Sequence, residues 1–231
     1  MNTISAENRK LNPTKALAAC FVAGLVISAA ALPAAAATLT FDGNICNGGN
    51  ACVPTNPNTA FIDQTYGDIS GQLDVIYDGS TNTSGLQSFK FWNTGYSGLT
   101  NIAYGASGPT AEIFLKPEAG FQVTLVGFDL GAWNKNRSSE VTVLAGAGNS
   151  LFSTGPITVS SSSPFHFSPG LTSADGFRIQ FGSDTFNVAI DNIEFRVDAL
   201  PAITAVPVPA ALPLLLSGLV GLGLISRRRA A

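Results

Sequence analysis

The chain has 231 residues and a formal net charge of −3, and only 12% of its residues are charged, about half the share in a typical soluble domain. The basic residues cluster at both ends, whereas residues 38–200 hold 14 acidic and six basic residues, a net charge of −8. A body this acidic repels phosphate backbones, so we expect no nucleic-acid partner. The length leaves room for one domain of ordinary size.

Residues 1–37 have the pattern of a secretory signal. A polar, basic stretch at 1–15 precedes an unbroken apolar run at 16–32, and Ala35 and Ala37 then place small side chains where a signal peptidase cuts. We therefore expect an N-terminal signal helix that is removed after Ala37. The alternative is an uncleaved N-terminal anchor.

The body, residues 38–200, alternates apolar and polar residues with period two and has no apolar residues at helical spacing over three turns. Clusters of Gly, Pro, Asn, Asp and Ser separate the short runs, as in a sandwich or barrel. We predict an all-β fold, a two-sheet antiparallel β-sandwich of the jelly-roll type. The eleven predicted strands are 38–41, 72–77, 88–92, 112–115, 121–130, 140–144, 156–159, 165–167, 176–181, 186–190 and 193–197.

The predicted strand at 121–130 changes phase in its middle. Its alternate apolar residues up to Leu125 share one face, and those from Val126 onward take the opposite one. A β-bulge at Val126–Gly127 would restore a single inward face.

Two cysteines remain once the signal is removed. Cys46 and Cys52 flank a Gly/Asn-rich turn in a chain bound for an oxidising compartment, which indicates a small disulfide-closed loop. A zinc site would need further ligands that the neighbouring sequence does not supply.

The C-terminal segment, residues 201–231, has three parts in a fixed order. A short tether leads to a proline motif, an apolar Gly-containing stretch at 210–226 is long enough to enter a bilayer, and an arginine cluster follows. Arginines stay on the cytoplasmic side, so the body lies outside. The motif and the cluster consist of Val206, Pro207, Val208, Pro209, Arg227, Arg228 and Arg229.

This tail resembles the PEP-CTERM sorting signal of Gram-negative bacteria, with Val208 where the name-giving form has Glu. The resemblance covers about the last 26 residues. It implies a transmembrane helix that is recognised and cut near the motif by an exosortase-like membrane peptidase. An ordinary C-terminal anchor is the alternative.

The first and last strands of the body are similar to those of jelly-roll domains related to carbohydrate-binding modules. The resemblance rests on Leu39–Gly43 and on Val188–Phe195, where an Asp-Asn pair interrupts the apolar residues. It implies that the terminal strands lie together and that Asp42 and Asp191 are carboxylate ligands of a structural calcium ion. The alternative is that both are solvated or turn-capping carboxylates.

Exposed aromatic rings with polar neighbours would suit a sugar ligand. Trp92, Tyr96, Tyr104 and Trp133 are the candidates, and Trp133 precedes a polar loop that ends at Arg137. A ring beside Asn and Arg can stack on a sugar face. The alternative is that Trp92 and Trp133 complete the core.

Catalysis has weak support in the sequence. His166 is the single histidine, and no Gly-x-Ser-x-Gly motif accompanies it, so we interpret it as an outward polar residue and expect no enzyme. A sandwich-type hydrolase with carboxylates from distant strands is the less favoured alternative.

Taken together, the sequence predicts an exported, non-enzymatic cell-envelope or extracellular-matrix protein that requires no cofactor, while the resemblance to carbohydrate-binding modules implies a structural calcium ion. Its expected partners are signal peptidase, an exosortase-like peptidase, the membrane and a polysaccharide. Before processing, the body lies outside the inner membrane and the C-terminus in the cytoplasm. The alternative function is a calcium-supported carbohydrate-binding or adhesive module.

Overall fold

The computed structural model of the protein describes residues 35–55, 60–85, 89–105 and 108–201. The predicted signal helix up to residue 34 lies outside the described residues. The predicted sorting motif at 206–209, the membrane helix at 210–226 and the arginines at 227–229 lie outside them too. In the part of the chain that is described, no helix is long and apolar enough to cross a membrane.

The described ranges contain twelve β-strands, connected by turns and loops. They are β1 (Ala35–Leu39), β2 (Leu73–Asp78), β3 (Phe89–Trp92), β4 (Ile102–Gly105), β5 (Thr110–Pro117), β6 (Phe121–Ala132), β7 (Arg137–Ala145), β8 (Ser150–Val159), β9 (Phe165–Phe167), β10 (Leu171–Ser173), β11 (Phe177–Gly182) and β12 (Val188–Ala199).

The strands form two antiparallel sheets. The seven-stranded sheet has the order β10-β6-β12-β4-β3, with β1 also paired to β12 and β9 to β6. The five-stranded sheet has the order β2-β5-β11-β7-β8. The predicted all-β fold with two antiparallel sheets is confirmed, and it is a β-sandwich.

The core lies between the two sheets and follows from the period-two pattern. In β11, Phe177, Ile179 and Phe181 are fully buried, while Arg178 and Gln180 point to the other face. Both sheets contribute to one cluster of buried apolar residues. Its large aromatic members without solvent exposure are Phe41, Tyr77, Phe89, Phe128, Phe177 and Phe181.

The bulge predicted in β6 is confirmed. Gly127 pairs with Glu194 and Leu125 pairs with Phe195, so Val126 is the extra residue. Its side chain is 41% exposed, whereas Leu125 and Phe128 are fully buried. One inserted residue therefore keeps both halves of β6 facing the core.

Several strand predictions are wrong in their bounds or number. The sequence pattern missed β4 and β10, and β4 is buried on both faces, which removes the alternation. The strand predicted at 156–159 begins earlier, at Ser150. The sequence pattern missed this start because β8 is an edge strand with mostly exposed side chains, which show little apolar alternation. The two strands predicted at 186–190 and 193–197 are one strand, β12, which continues through a bulge at Asn192 with φ of +50°.

The predicted disulfide between Cys46 and Cys52 is present, with the two Cα atoms 5.2 Å apart. The turn between them is closed by paired main-chain hydrogen bonds between Cys46 and Asn50. Cys46 is buried and forms a β-bridge with Ile62, so the loop is fixed to the domain.

The predicted signal-cleavage residues lie in the first strand. Ala35 pairs with Val197, and Ala37 pairs with Phe195. Cleavage after Ala37 would leave only Thr38 and Leu39 of β1 in this pairing.

Candidate functional site: an aromatic cleft and an aspartate pocket

The outer face of the seven-stranded sheet carries a second apolar cluster. Phe91 and Ala103 belong to the core between the sheets, so their strand neighbours Trp92 and Tyr104 project from the opposite face. The loop at 93–101 lies against this face. The cluster consists of Tyr96, Leu99, Ile102, Tyr104 and Ala189, with Trp92 and Trp133 packed against it.

The three residues predicted to bind a ligand meet in this cluster. Trp92, Tyr96 and Trp133, with Tyr104 and Phe186, line a cleft of about 170 Å³. The Trp133 ring centroid lies 5.6 Å from that of Trp92 and 5.2 Å from that of Tyr96. Both tryptophans are half-buried; they lie outside the core between the sheets and pack against the second apolar cluster.

Phe186 is a cleft residue that the sequence analysis missed. It is 56% exposed, and its ring stands nearly perpendicular to that of Tyr104, with centroids 5.6 Å apart. The Tyr96 hydroxyl donates a hydrogen bond to the Phe186 carbonyl at 2.7 Å. The predicted strand at 186–190 assigned Phe186 to the sheet, whereas it lies in the turn before β12, and no local pattern marks it as part of a site.

A glycine and a serine fix the loop that carries Tyr96. Gly95 has φ of +95°, and a Cβ there would collide with the Trp133 ring. The buried Ser97 hydroxyl accepts a hydrogen bond from the Ala132 N–H at 2.6 Å and donates to the Ser160 carbonyl at 2.5 Å. The loop is therefore attached to β6 beside the cleft.

Arg137 connects the two segments that supply Trp133 and Phe186. Its guanidinium donates to Asp184 at 3.3 Å, to the Asn187 side-chain oxygen at 2.9 Å and to the Trp133 carbonyl at 3.4 Å. The main-chain N–H of Trp133 in turn donates to the main-chain carbonyl of Asn187 at 2.8 Å. These polar groups hold the rim of the cleft and are engaged with one another.

Asp42 and Asp191, the predicted calcium ligands, line one pocket of about 280 Å³. As the resemblance implied, the terminal strands β1 and β12 are paired, which brings the two carboxylates together. The loop that carries Tyr96 also borders this pocket. The other lining residues are Thr40, Gly98, Leu99, Thr100 and Asn192.

Asp191 is a buried carboxylate among like charges. It is 3% exposed and accepts a hydrogen bond from the Asn192 N–H at 2.7 Å. Burial, with smaller contributions from the nearby Asp129 and Asp42 carboxylates, raises the pKa of its carboxyl to about 7 against the opposing effect of that hydrogen bond.

The donor set of the pocket fits a hard cation. The lining residues Asp42, Asp191, Thr40 and Thr100 carry carboxylate and hydroxyl oxygens, donors of the kind that calcium prefers. Among the described residues, no group of three or more His, Cys, Asp or Glu side chains is placed to hold a metal ion. A cation here would therefore depend on Asp42, Asp191 and neutral oxygens.

His166 lies on the same outer face, with 55% of its side chain exposed, as expected for an outward polar residue. Its Nδ1 lies 2.7 Å from Asp129 Oδ1, and the Asn192 amide donates to Asp129 Oδ2 at 2.8 Å. In the described part of the chain, no hydroxyl hydrogen-bonds to the imidazole.

No protein-family model and no curated protein matches this chain. Among solved structures, the crystal structure of Podospora anserina GH26-CBM35 β-(1,4)-mannanase is similar at 11% sequence identity and a TM-score of 0.30. The similarity covers 58% of this chain and 29% of that one, so this chain spans less than a third of its length.

Proposed function

We propose that the protein is an exported, non-enzymatic cell-envelope or extracellular-matrix protein whose β-sandwich domain binds carbohydrate in the aromatic cleft. The observation that carries the binding role is the convergence of Trp92, Tyr96 and Trp133 in one solvent-open cleft. These residues come from separate strands and loops, and they meet on the outer face of the seven-stranded sheet, away from the core between the two sheets.

The chemistry of the cleft suits a sugar ring. A pyranose has an apolar face of C–H groups that stacks on an aromatic ring, and indole rings offer the largest such surface. The cleft has a volume of about 170 Å³, below the roughly 300–1,000 Å³ of pockets for drug-sized ligands, so it suits a small group. Ligand sites of this kind are mostly apolar with a few polar groups that set orientation.

Export and sorting are supported by the sequence at both ends. The signal-like segment and the tail with a proline motif, an apolar stretch and arginines support a location of the body outside the inner membrane. The disulfide between Cys46 and Cys52 suits an oxidising compartment. We infer that signal peptidase removes the N-terminal segment and that an exosortase-like peptidase processes the tail.

The jelly-roll class and a structural calcium ion belong to the same proposal. Their support is the pairing of β1 with β12, which places Asp42 and Asp191 on one pocket. Calcium there would neutralise two carboxylates and join the start of the domain to its last strand.

Two measurements on protein from the producing cells test the proposal. Intact mass should show a mature species without the N-terminal segment and without residues 206–231. A tail retained in every species would leave a simple membrane anchor. Retention on insoluble polysaccharides should be lost in Trp92→Ala and Trp133→Ala, and failure of the unaltered protein to bind any polysaccharide would remove the binding role.

A further inference from the structure

The hydroxyl of Tyr104 has no hydrogen-bond partner among the described residues. Tyr104 lies on β4, is 6% exposed and packs its ring against Tyr96 and Phe186. Among the described residues, Ser80 Oγ is the one side-chain oxygen that is both fully buried and without a hydrogen-bond partner, so the Tyr104 oxygen is not fully buried. The Tyr104 hydroxyl therefore has no hydrogen-bond partner among the described residues and retains some contact with solvent. Tyr104 is one of the residues that line the aromatic cleft.

The cleft has one other hydroxyl, and it is already engaged. The Tyr96 hydroxyl donates to the Phe186 carbonyl at 2.7 Å, a bond that closes the cleft wall. Burial raises the pKa of both phenols above the usual value of 10, so each carries its proton at neutral pH. Tyr104 can thus donate a hydrogen bond to a ligand, whereas Tyr96 cannot do so without losing an internal one.

We infer that Tyr104 is a specificity-determining residue of the aromatic cleft, and that its hydroxyl hydrogen-bonds a hydroxyl or ring oxygen of a neutral sugar stacked on the tryptophans. This inference rests on the proposed carbohydrate-binding function. A sugar hydroxyl that leaves water for the cleft needs a partner, because an unpaired buried polar group is costly. Tyr104 supplies that partner beside the stacking surface.

The preference for a neutral sugar follows from the charges around the cleft. None of its five lining side chains is charged. Arg137, which is bonded to the rim, pairs with Asp184 and Asn187. A uronate carboxylate would therefore enter an apolar cleft beside Arg137, which is already paired with Asp184. No interaction there would offset the free-energy cost of removing the carboxylate from water.

The test compares Tyr104→Phe and Tyr96→Phe with the unaltered full chain. The chain has two tryptophans, Trp92 and Trp133, and both border the cleft, so their fluorescence reports binding there. The neutral probes are cellohexaose and laminarihexaose, and the charged probe is the hexamer of galacturonic acid.

Tyr104→Phe should weaken binding of the neutral probes about tenfold and leave the thermal midpoint unchanged or higher, because no internal bond is lost. Tyr96→Phe should lower the midpoint. Equal affinity in Tyr104→Phe and the unaltered protein, or a midpoint as low as that of Tyr96→Phe, would overturn the role of Tyr104. Tight binding of the charged hexamer would overturn the neutral ligand. If the unaltered chain bound none of the probes, the proposed sugar-binding function itself would fail.

Discussion

Asp191 lies directly across the β6–β12 pairing from Asp129, so two carboxylates stand side by side on the outer face of the seven-stranded sheet. Asp129 has a basic partner in His166, which lies across from it on β9. Asp191 is almost fully buried, and among the described residues its one hydrogen-bond partner is the main-chain N–H of Asn192. The pairing of strands therefore places a buried carboxyl group beside another carboxylate at the edge of the aspartate pocket, where ionisation of Asp191 is costly.

This charge predicts a pH dependence of stability in chelator-treated protein. The folded-state pKa of Asp191 is about 7, above the ordinary 3.8. The contribution of Asp191 to the free energy of unfolding is thus complete below about pH 4 and is lost as pH rises through 7. The free energy of unfolding falls by at most about 4 kcal/mol over this range. Urea unfolding between pH 4 and 8 should show a flatter profile for Asp191→Asn. The matched control Asp74→Asn removes an exposed carboxylate and should keep the original slope. Parallel profiles for Asp191→Asn and the unaltered protein would show that Asp191 is not strained.

Calcium should restore the folding stability that is lost as pH rises. At pH 8, millimolar calcium is expected to raise the thermal midpoint of the unaltered protein by several degrees, since the ion binds the folded state alone. Asp191→Ala and Asp42→Ala should abolish the gain, and Asp74→Ala should retain it. The gain should also shrink below pH 7, where protons compete for Asp191. A midpoint that does not respond to calcium at any pH would contradict the proposed cation site.

Alanine variants of Gly95 and Gly98 distinguish the effect of a clash with the Trp133 ring from the effect of backbone strain on stability. Both have positive φ, +95° and +85°, but only Gly95 lies against the Trp133 ring, and Gly98 has nothing within 4 Å. Gly98→Ala should cost about 1 kcal/mol for the backbone alone. Gly95→Ala should cost about 1–3 kcal/mol more and shift the tryptophan emission. Equal unfolding free energies and unchanged spectra in the two variants would mean that the packing of Trp133 on this loop is unimportant.

Much of the fold could be predicted because it is encoded locally. Alternation along β11 marks a half-buried strand, and the change of phase at Val126 locates a bulge without any knowledge of the partner strand. The short spacing of Cys46 and Cys52 predicts the disulfide. The strand β4 could not be found in this way, because burial on both faces removes its periodicity.

The candidate site was predicted as separate residues and not as a cleft. Trp133 meets Tyr96 through an isolated bridge between a loop and the end of β6, and strand pairing over long sequence separations decides such contacts. Phe186 joins them because Tyr96 bonds to its carbonyl, a tertiary contact with a sequence separation of 90. The choice of aromatic residues was visible in the sequence, whereas their convergence required the pairing of the strands.

The most direct test of the carbohydrate-binding role is the equilibrium affinity of the protein for the polysaccharide that retains it best, measured for the unaltered chain, Trp133→Ala and Phe152→Ala. Phe152 is an exposed aromatic residue on β8 of the other sheet, so its loss controls for non-specific apolar binding. We expect Trp133→Ala to bind at least about tenfold more weakly, because a buried aromatic contact contributes more than about 1 kcal/mol, and Phe152→Ala to bind as the unaltered protein does. Equal affinities for Trp133→Ala and the unaltered chain would contradict the assignment of the aromatic cleft as the carbohydrate site.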